Sequence, residues 1–211
     1  MDTGEYLYLV NYYGQFSQER LLELQNIYGN ILLDNTHAFF QEPLGTIPVL
    51  YSCRKFFGLP DGAYLSLGQQ KHSTIDILPE DSSAERMQHI LGRYEHSASE
   101  YYSSMLNTAH NLCSEPVKRM SRLTQNLLKG IDYQRVCNIR NANYATLSEV
   151  LDSENQLTLI PQTGPFVYPL YCRDGIRMRK RLAEEKNFCS DLLVECHTGN
   201  ARKKSLDYDY A

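Results

Sequence analysis

Residues Leu33–Leu67 read LDNTHAFFQEPLGTIPVLYSCRKFFGLPDGAYLSL, and this stretch decides the fold that the sequence predicts. An acid, Asp34, and an imidazole, His37, follow one apolar run. A lysine, Lys55, follows a second apolar run about twenty positions further on. The stretch therefore combines a carboxylate that can bind a ring nitrogen, an imidazole that can stack or form hydrogen bonds, and an amine that can form an imine.

The residues before this stretch predict a strand–helix–strand unit. Tyr6–Asn11 is a short apolar and aromatic run, typical of a strand. Ser17 is a helix N-cap residue, and apolar residues then recur at helical spacing until Gly29. Ile31–Leu33 is a second short strand. Because only a very short connection separates the helix from the second strand, the two strands are predicted to pair in parallel through a right-handed crossover.

The predicted sheet places Asp34 and His37 where a ligand is expected. In open parallel sheets, ligands bind outside the carboxyl ends of the strands. Asp34 lies at such an end, and His37 follows it. Two further apolar runs, Ile47–Cys53 and Ala63–Leu67, predict strands on either side of a turn rich in Gly and Pro.

The second half of the chain changes in character twice. Residues 82–152 are predicted to be helical, with breaks near Ser114 and at Gly130, and Pro116 fits the first turn of a new helix. After Asp152 the pattern predicts a small α/β part with the following elements: strands Leu157–Ile160 and Phe166–Tyr171, and a helix Gly175–Lys186. The charged tail, 196–211, is expected to be frayed or to stop before a next strand.

Composition limits the classes of function. The 211 residues carry a formal net charge of −4, which does not favour nucleic-acid binding. The sequence has no apolar run of membrane-spanning length and no basic, signal-like N-terminus, so a cytoplasmic location is expected. The six cysteines form no CxxC pair and no cluster with histidine, so we expect free thiols and no structural metal.

The motifs of the central stretch resemble those of the DegT/DnrJ-type sugar-nucleotide aminotransferases, which are fold-type-I enzymes that depend on pyridoxal 5′-phosphate (PLP). The resemblance rests on Asp34–His37 as Asp-x-x-His, on Ser52–Lys55 as Ser…Lys, and on the turn Pro60–Ala63 that leads into a strand. Arg140–Tyr144 resembles part of the long helix that precedes the small domain of the family. The likeness is strong over Leu33–Leu67 and looser elsewhere between residues 6 and 186.

The resemblance implies a role for each matching residue. Lys55 would be the lysine that carries the cofactor and moves a proton during transfer. Asp34 would keep the pyridine nitrogen protonated, and His37 would lie against the phenolic oxygen or the ring. Ser52 would contact the phosphate, although it precedes the lysine by three positions where the family usually has five. An ordinary strand-end hydroxyl is the alternative for Ser52.

The implied fold is α/β, with residues 1–130 as the C-terminal part of a PLP-binding large domain and 131–211 as a connecting helix and a truncated small domain. The implied reaction moves an amino group from an amino acid, commonly glutamate, to a keto-sugar nucleotide, in a homodimer. The phosphate-cradling helix N-terminus of the family has no counterpart before Asp34, so we expect an incomplete site. A non-catalytic scaffold or interaction protein is the alternative, followed by a plain nucleotide-binding α/β domain.

Overall fold

The computed structural model describes residues 5–68 and 75–185. The four strands are β1 (Leu7–Val10), β2 (Ile31–Asp34), β3 (Val49–Ser52) and β4 (Ala63–Ser66). The six α-helices of the described part are α1 (Gln18–Tyr28), α2 (Gln88–Glu95), α3 (Tyr102–Ser114), α4 (Arg122–Lys129), α5 (Tyr133–Leu151) and α6 (Gly175–Glu184). Short 3-10 turns cover Tyr12–Gly14 and Glu85–Met87. The protein is thus mixed α/β, as the sequence predicts at this coarse level.

The four strands form one mixed sheet in the order β1-β2-β3-β4. β1 pairs with β2 in parallel, with Leu7 opposite Ile31, and β2 pairs with β3 in parallel, with Leu33 opposite Val49. β4 runs antiparallel to β3. The predicted parallel strand–helix–strand unit is therefore confirmed, and the carboxyl ends of β1, β2 and β3 meet at one edge.

Helix α1 begins and ends at the residues that the sequence indicates. The hydroxyl of Ser17 accepts a hydrogen bond from the amide of Arg20 at 3.2 Å, which satisfies one donor of the first turn. Gly29 ends the helix at φ +75°, a conformation that glycine adopts without a side-chain clash. Leu21 and Leu24 are buried against the sheet, so the apolar face of α1 holds the helix in place.

Two apolar clusters stabilise the sheet region. The first, which we call the sheet core, contains Leu21, Leu24, Ile31, Leu33, Ile47, Val49 and Tyr51. The second, which we call the aromatic core, contains Cys53, Phe56, Phe57, Leu59 and Leu128. Phe39, in the loop after β2, packs against both clusters. Burying each large apolar side chain stabilises the fold by about 1.5–3 kcal/mol, so the loop after β2 is fixed by packing as well as by its hydrogen bonds.

The prediction that Pro116 lies in the first turn of a new helix was wrong. The chain here is extended, and Arg119 forms a parallel bridge with Glu80. The Arg119 amide donates to Pro79 O at 2.9 Å, and the Asp81 amide donates to Arg119 O at 3.0 Å. α4 begins only after Ser121, whose hydroxyl accepts from the Thr124 amide at 3.1 Å. Pairing with a distant segment outweighs the local preference of the proline.

The two strands expected after Asp152 do not form. Residues 157–160 and 166–171 are irregular, and side chains take up their backbone groups instead. The Ile160 amide donates to Gln15 Oε1 at 2.9 Å, and Arg140 Nη1 donates to Pro165 O and Phe166 O at 3.2 Å each. Prolines 161, 165 and 169 lack the N–H that a strand ladder requires. α6 forms as predicted over Gly175–Glu184; its predicted end at residue 186 and the tail 196–211 lie outside the described residues.

The chain divides into two compact units. The first comprises residues up to Asp152 together with Leu159–Pro169, and it contains the sheet and α1–α5. The second comprises Ser153–Thr158 and the chain from Leu170, with α6 and a hydrogen bond from the Gln156 amide to Tyr171 O at 2.8 Å. The boundary predicted between residues 130 and 131 falls inside the first unit and stays a prediction. Over the described ranges, no helix has both the length and the apolar character needed to cross a bilayer.

Candidate functional site

The edge where β1, β2 and β3 end brings together the residues that the sequence singles out. Asp34 is the last residue of β2, and His37 lies in the loop that follows. Lys55 lies in the loop after β3, three positions beyond its last residue, the half-buried Ser52. The charges of Lys55 and Asp34 both act on the pKa of His37, so the three side chains share one neighbourhood. We call Asp34, His37 and Lys55 the strand-end site.

Asp34 has a hydrogen-bond partner on each carboxylate oxygen. Its Oδ1 accepts from the amide of Thr36 at 2.8 Å, an Asx-type contact that shapes the start of the loop. Its Oδ2 accepts from the hydroxyl of Tyr8, a side chain of the neighbouring strand β1 that is 54% exposed. The carboxylate is therefore oriented from two sides, and one of its partners is a phenol near the solvent.

His37 is the most buried member of the strand-end site, and aromatic rings surround it. Its ring is stacked with Phe166 at 4.7 Å between centroids and with Tyr13 at 5.4 Å, both at an interplanar angle of 15°. Tyr12 contacts it edge-on at 5.9 Å. The residue is 8% exposed, yet its Nδ1 has no hydrogen-bond partner within the described ranges 5–68 and 75–185. An unsatisfied buried polar atom costs about 1–3 kcal/mol, so this nitrogen is a point at which a bound group could improve the site.

Burial sets the protonation state of His37. It lowers the pKa of the imidazole to about 4, the positive charge of Lys55 acts in the same direction, and the Asp34 carboxylate opposes both. The imidazole is therefore neutral at pH 7. A neutral imidazole carries one N–H donor and one acceptor nitrogen, so it can orient a polar substituent but does not add charge to the site.

Lys55 is half-buried, and its Nζ lies 5.7 Å from the centroid of the Phe166 ring. That distance is within the range of a cation–π contact. A second cation contacts Phe166 as well: Arg140 donates to Phe166 O at 3.2 Å, and its guanidinium stacks on Phe56 at 4.6 Å and donates to Phe56 O at 3.4 Å. Burial lowers the pKa of Arg140.

The loop after β1 contributes a feature that the sequence reasoning missed. Tyr13 has φ +56°, which is uncommon for a bulky residue, and its ring is held against His37. Burial raises the pKa of the Tyr13 hydroxyl to about 12, and Tyr12 adds to this effect. Gln162 donates a hydrogen bond to the carbonyl of Gly14 in the same turn. The available signal was the pair of tyrosines, Tyr12 and Tyr13, directly after the predicted strand Tyr6–Asn11.

An amide network fixes the loops beneath the site. Asn11 Nδ2 donates to Asn35 Oδ1 at 2.9 Å and to Gln41 Oε1 at 2.7 Å. Asn35 Nδ2 also donates to Gln41 Oε1, at 3.1 Å, and Gln41 Nε2 donates to Phe16 O at 3.1 Å. Asn11 and Asn35 directly follow β1 and β2 and are buried. A buried and satisfied network of this kind holds two strand-end loops in one arrangement.

The strand-end site supplies an amine on Lys55, a carboxylate on Asp34 with both oxygens hydrogen-bonded, and a buried Nδ1 on His37 without a partner among the described residues. Groups of these types would suit the ring end of a PLP molecule. The phosphate end does not fit the helix that follows β1. Its first turn is capped by Ser17, and the carboxylate of Glu19 accepts from its own amide, which lowers the pKa of Glu19 and opposes a bound anion.

A separate groove lies against α3. Its volume is about 780 Å³, and polar side chains line it, among them Asp81, Arg86, Asn107 and Lys118. Residues of the strand-end site do not line this groove. Within the described ranges, no three His, Cys, Asp or Glu side chains are arranged to hold a metal ion.

No protein-family model, curated protein or solved structure matches this chain. The features of the chain that bear on function are therefore the geometry of the strand-end site and the motifs of residues 33–67.

Proposed function

We propose that this chain carries the lysine and aspartate part of a PLP site, in an aminotransferase of the DegT/DnrJ type. The observation that carries the proposal is the convergence of Asp34, His37 and Lys55 at the edge where the parallel strands β1, β2 and β3 end. These residues also belong to the motifs in which the sequence resembles that family. Ligands bind at this edge in open α/β sheets, which supports the same position for the cofactor.

Each residue has a defined part in the proposed site. Lys55 would hold the cofactor by condensing its amine with the carbonyl carbon, with loss of water, and would move a proton at the substrate carbon. Asp34 would keep the pyridine nitrogen protonated, and neutral His37 would lie against the phenolic oxygen or the ring. Ser52, at the end of β3, is the proposed phosphate contact. PLP, when bound, supplies an electron-withdrawing ring that eases removal of a proton from the amino donor.

The proposed substrates are an amino acid, glutamate in the first instance, and a keto-sugar nucleotide, and the product serves surface-polysaccharide or amino-sugar synthesis. The proposed setting is the cytoplasm, and the proposed assembly is a homodimer. The described residues contribute the ring end of the cofactor site, so the proposal assigns the main phosphate contacts to groups outside them. This chain alone is then expected to hold PLP weakly, because charge-assisted contacts to the phosphate supply much of the affinity for such a ligand.

Lysine-specific labelling tests the proposal. The purified chain is incubated with PLP and reduced with borohydride, and the modified peptides are identified by mass spectrometry. The expected result is an adduct on Lys55, together with a visible absorbance band that Lys55→Ala removes. Lys129→Ala, which removes an exposed lysine of α4, is the matched control and should keep both. Labelling spread evenly over surface lysines, and unchanged by Lys55→Ala, would refute the proposed cofactor site.

One observation favours the second candidate, a non-catalytic interaction protein that keeps the fold. Phe166 packs against both His37 and Lys55, so these side chains already have a partner within the chain. Glutamate added to the PLP-treated protein distinguishes the two candidates. Formation of 2-oxoglutarate that depends on Lys55 supports the aminotransferase. Lysine labelling without 2-oxoglutarate supports the protein that has lost turnover.

A further inference from the structure

A side chain from the far end of the first unit contacts two of the three residues of the strand-end site. The ring of Phe166 is stacked on His37, with 4.7 Å between centroids and 15° between planes. The same ring lies 5.7 Å from Lys55 Nζ. A flat, six-membered ring is thus held by the imidazole and the amine that the proposed function assigns to a pyridine ring. The phenyl ring of Phe166 thus takes the position that the proposed function gives to the pyridine ring.

Phe166 belongs to residues 159–169, which we call the strap. The strap contains no helix or strand, and polar contacts to several elements hold it. Besides the bonds of Arg140 to Pro165 O and Phe166 O, the Gly164 amide donates a hydrogen bond to Asn141 Oδ1 at 2.8 Å. A strand is held by a regular series of backbone hydrogen bonds, whereas the strap is held by a small number of side-chain hydrogen bonds. Displacing the strap therefore costs less free energy than displacing a strand.

The ring of Phe166 satisfies the stacking requirement of His37 but not its polar requirement. His37 is 8% exposed, and among the described residues its Nδ1 has no partner, since a phenyl ring offers neither a donor nor an acceptor. A heteroaromatic ligand that carries an oxygen on a flexible side arm would stack in the same way, and the arm can bend out of the ring plane to reach Nδ1, which bonds in the plane of the imidazole. The unpartnered nitrogen is therefore a second observation, independent of the stacking, that points to a ligand.

We propose that Phe166 is an internal occupant of a ring-binding slot formed by His37 and Lys55, and that a planar heteroaromatic ligand with a polar oxygen substituent takes this slot when Phe166 withdraws. The identity of the ligand as PLP rests on the proposed function, whereas the slot rests on the contacts of Phe166. Binding is then a competition within the chain, and the apparent affinity falls in proportion to the fraction of molecules in which the slot is open.

The competition predicts the effect of removing the ring. Phe166→Ala should raise the affinity for PLP about tenfold, because an aromatic competitor at the slot is lost. Phe166→Leu should raise it as well, because leucine keeps apolar volume in the strap but cannot stack. Phe166→Tyr keeps the ring and should bind PLP as the original protein does. Val167→Ala, next to Phe166 and 37% exposed, is the matched control and should also leave the affinity unchanged.

Two probes separate the slot from the proposed function. PLP followed by borohydride reduction reports the bond to Lys55. Pyridoxine 5′-phosphate, which has the ring, the oxygen and the phosphate but no aldehyde, reports occupation of the slot by equilibrium dialysis. Circular dichroism and denaturant unfolding of each variant confirm that the fold is kept, and Phe166→Leu provides the comparison if Phe166→Ala unfolds.

The outcomes distinguish the two ideas. Tighter binding of both probes by Phe166→Ala and Phe166→Leu supports the slot. Equal labelling of Lys55 in the original protein and in these variants, with equal dialysis, would overturn the slot while the proposed function stands. Dialysis that tightens on loss of the ring without any Lys55 adduct would support the slot and overturn the proposed function. Binding of neither probe by any variant would overturn both.

Discussion

Arg86 donates two hydrogen bonds to one oxygen of Asp61, from Nε at 3.1 Å and from Nη2 at 2.7 Å. Asp61 lies in the turn between β3 and β4, is 8% exposed, and also accepts from the Thr124 hydroxyl at 2.5 Å. Arg86 additionally pairs with Asp81. This clamp connects the sheet to the 3-10 turn before α2 and to α4, so it joins the sheet region to the helical region of the first unit.

Replacing Arg86 should destabilise the protein strongly. Arg86→Ala leaves the buried carboxylate of Asp61 without its cation, and the expected loss in the free energy of unfolding is about 3–5 kcal/mol. Arg20→Ala is the control, because the ion pair of Arg20 with Glu23 at 3.0 Å is exposed and should contribute within about 0.5 kcal/mol. Urea denaturation measures both. Equal, small losses would show that the clamp does not stabilise the fold.

Asp81 should make the protein less stable in acid. Burial alone would raise the pKa of this carboxyl, but hydrogen bonds from the Ser82 amide, Arg86 and Lys118 outweigh burial and lower it on balance. A carboxyl with a lowered pKa stabilises the folded state at neutral pH, and this contribution is lost as the pH falls through the folded-state value. Between pH 7 and acid pH, the free energy of unfolding should fall less for Asp81→Asn than for the original protein. The exposed Asp76→Asn, with the same change of charge, should follow the original protein.

His37 should contribute a second, separate pH dependence. Its pKa in the folded protein is about 4, below the ordinary 6.5, so the unfolded chain takes up a proton first as the pH falls. The stabilising contribution is complete above pH 6.5 and is lost between pH 6.5 and 4, by about 2–3 kcal/mol. His37→Phe keeps a stacked ring but cannot titrate, so the free energy of unfolding of this variant should change less with pH over this range. NMR titration of the imidazole measures the pKa directly, and a value near 6.5 would contradict the burial argument.

Gly164 should be essential to the position of the strap. It has φ +55°, and a Cβ at this residue would overlap the ring of Phe40. Gly29 also has a left-handed φ, +75°, but a Cβ there would meet open space. Both alanine variants should lose about 1–2 kcal/mol from the backbone conformation, and Gly164→Ala about 1–3 kcal/mol more from the overlap. Equal losses in thermal unfolding would mean that Phe40 yields to the added methyl group.

The sequence predicted those parts of the fold that depend on local signals. Ser17 and Gly29 bound α1 correctly because capping and a left-handed glycine act within one helical turn. The parallel pairing of β1 with β2 was predicted from the short connection between α1 and β2. Pro116 and the strands after Asp152 were predicted wrongly because distant partners, such as Glu80 for Arg119, took up the backbone groups. No local pattern carries that information.

The candidate site divides in the same way. Asp34, His37 and Lys55 could be singled out because each follows a predicted strand, and the parallel sheet brings their strand ends to one edge. Their roles toward a cofactor stay predictions. Phe166 could not be found, because its contact with His37 joins segments far apart in the chain and was hidden by the wrong assignment of residues 166–171 to a strand. The positive φ of Tyr13, +56°, likewise had no signal in the local sequence.

The thiol of Cys53 gives the protein an internal reporter of how often its aromatic core opens. Cys53 is fully shielded, and burial, reinforced by Asp61, raises its pKa to about 12. Alkylating reagents attack the thiolate, so this sulfur reacts only when the surrounding packing is transiently lost. Cys113 is exposed on α3 and reacts without such an opening. The ratio of the two alkylation rates would therefore report how often the aromatic core opens, at a position two residues from Lys55. No label has to be introduced for this measurement.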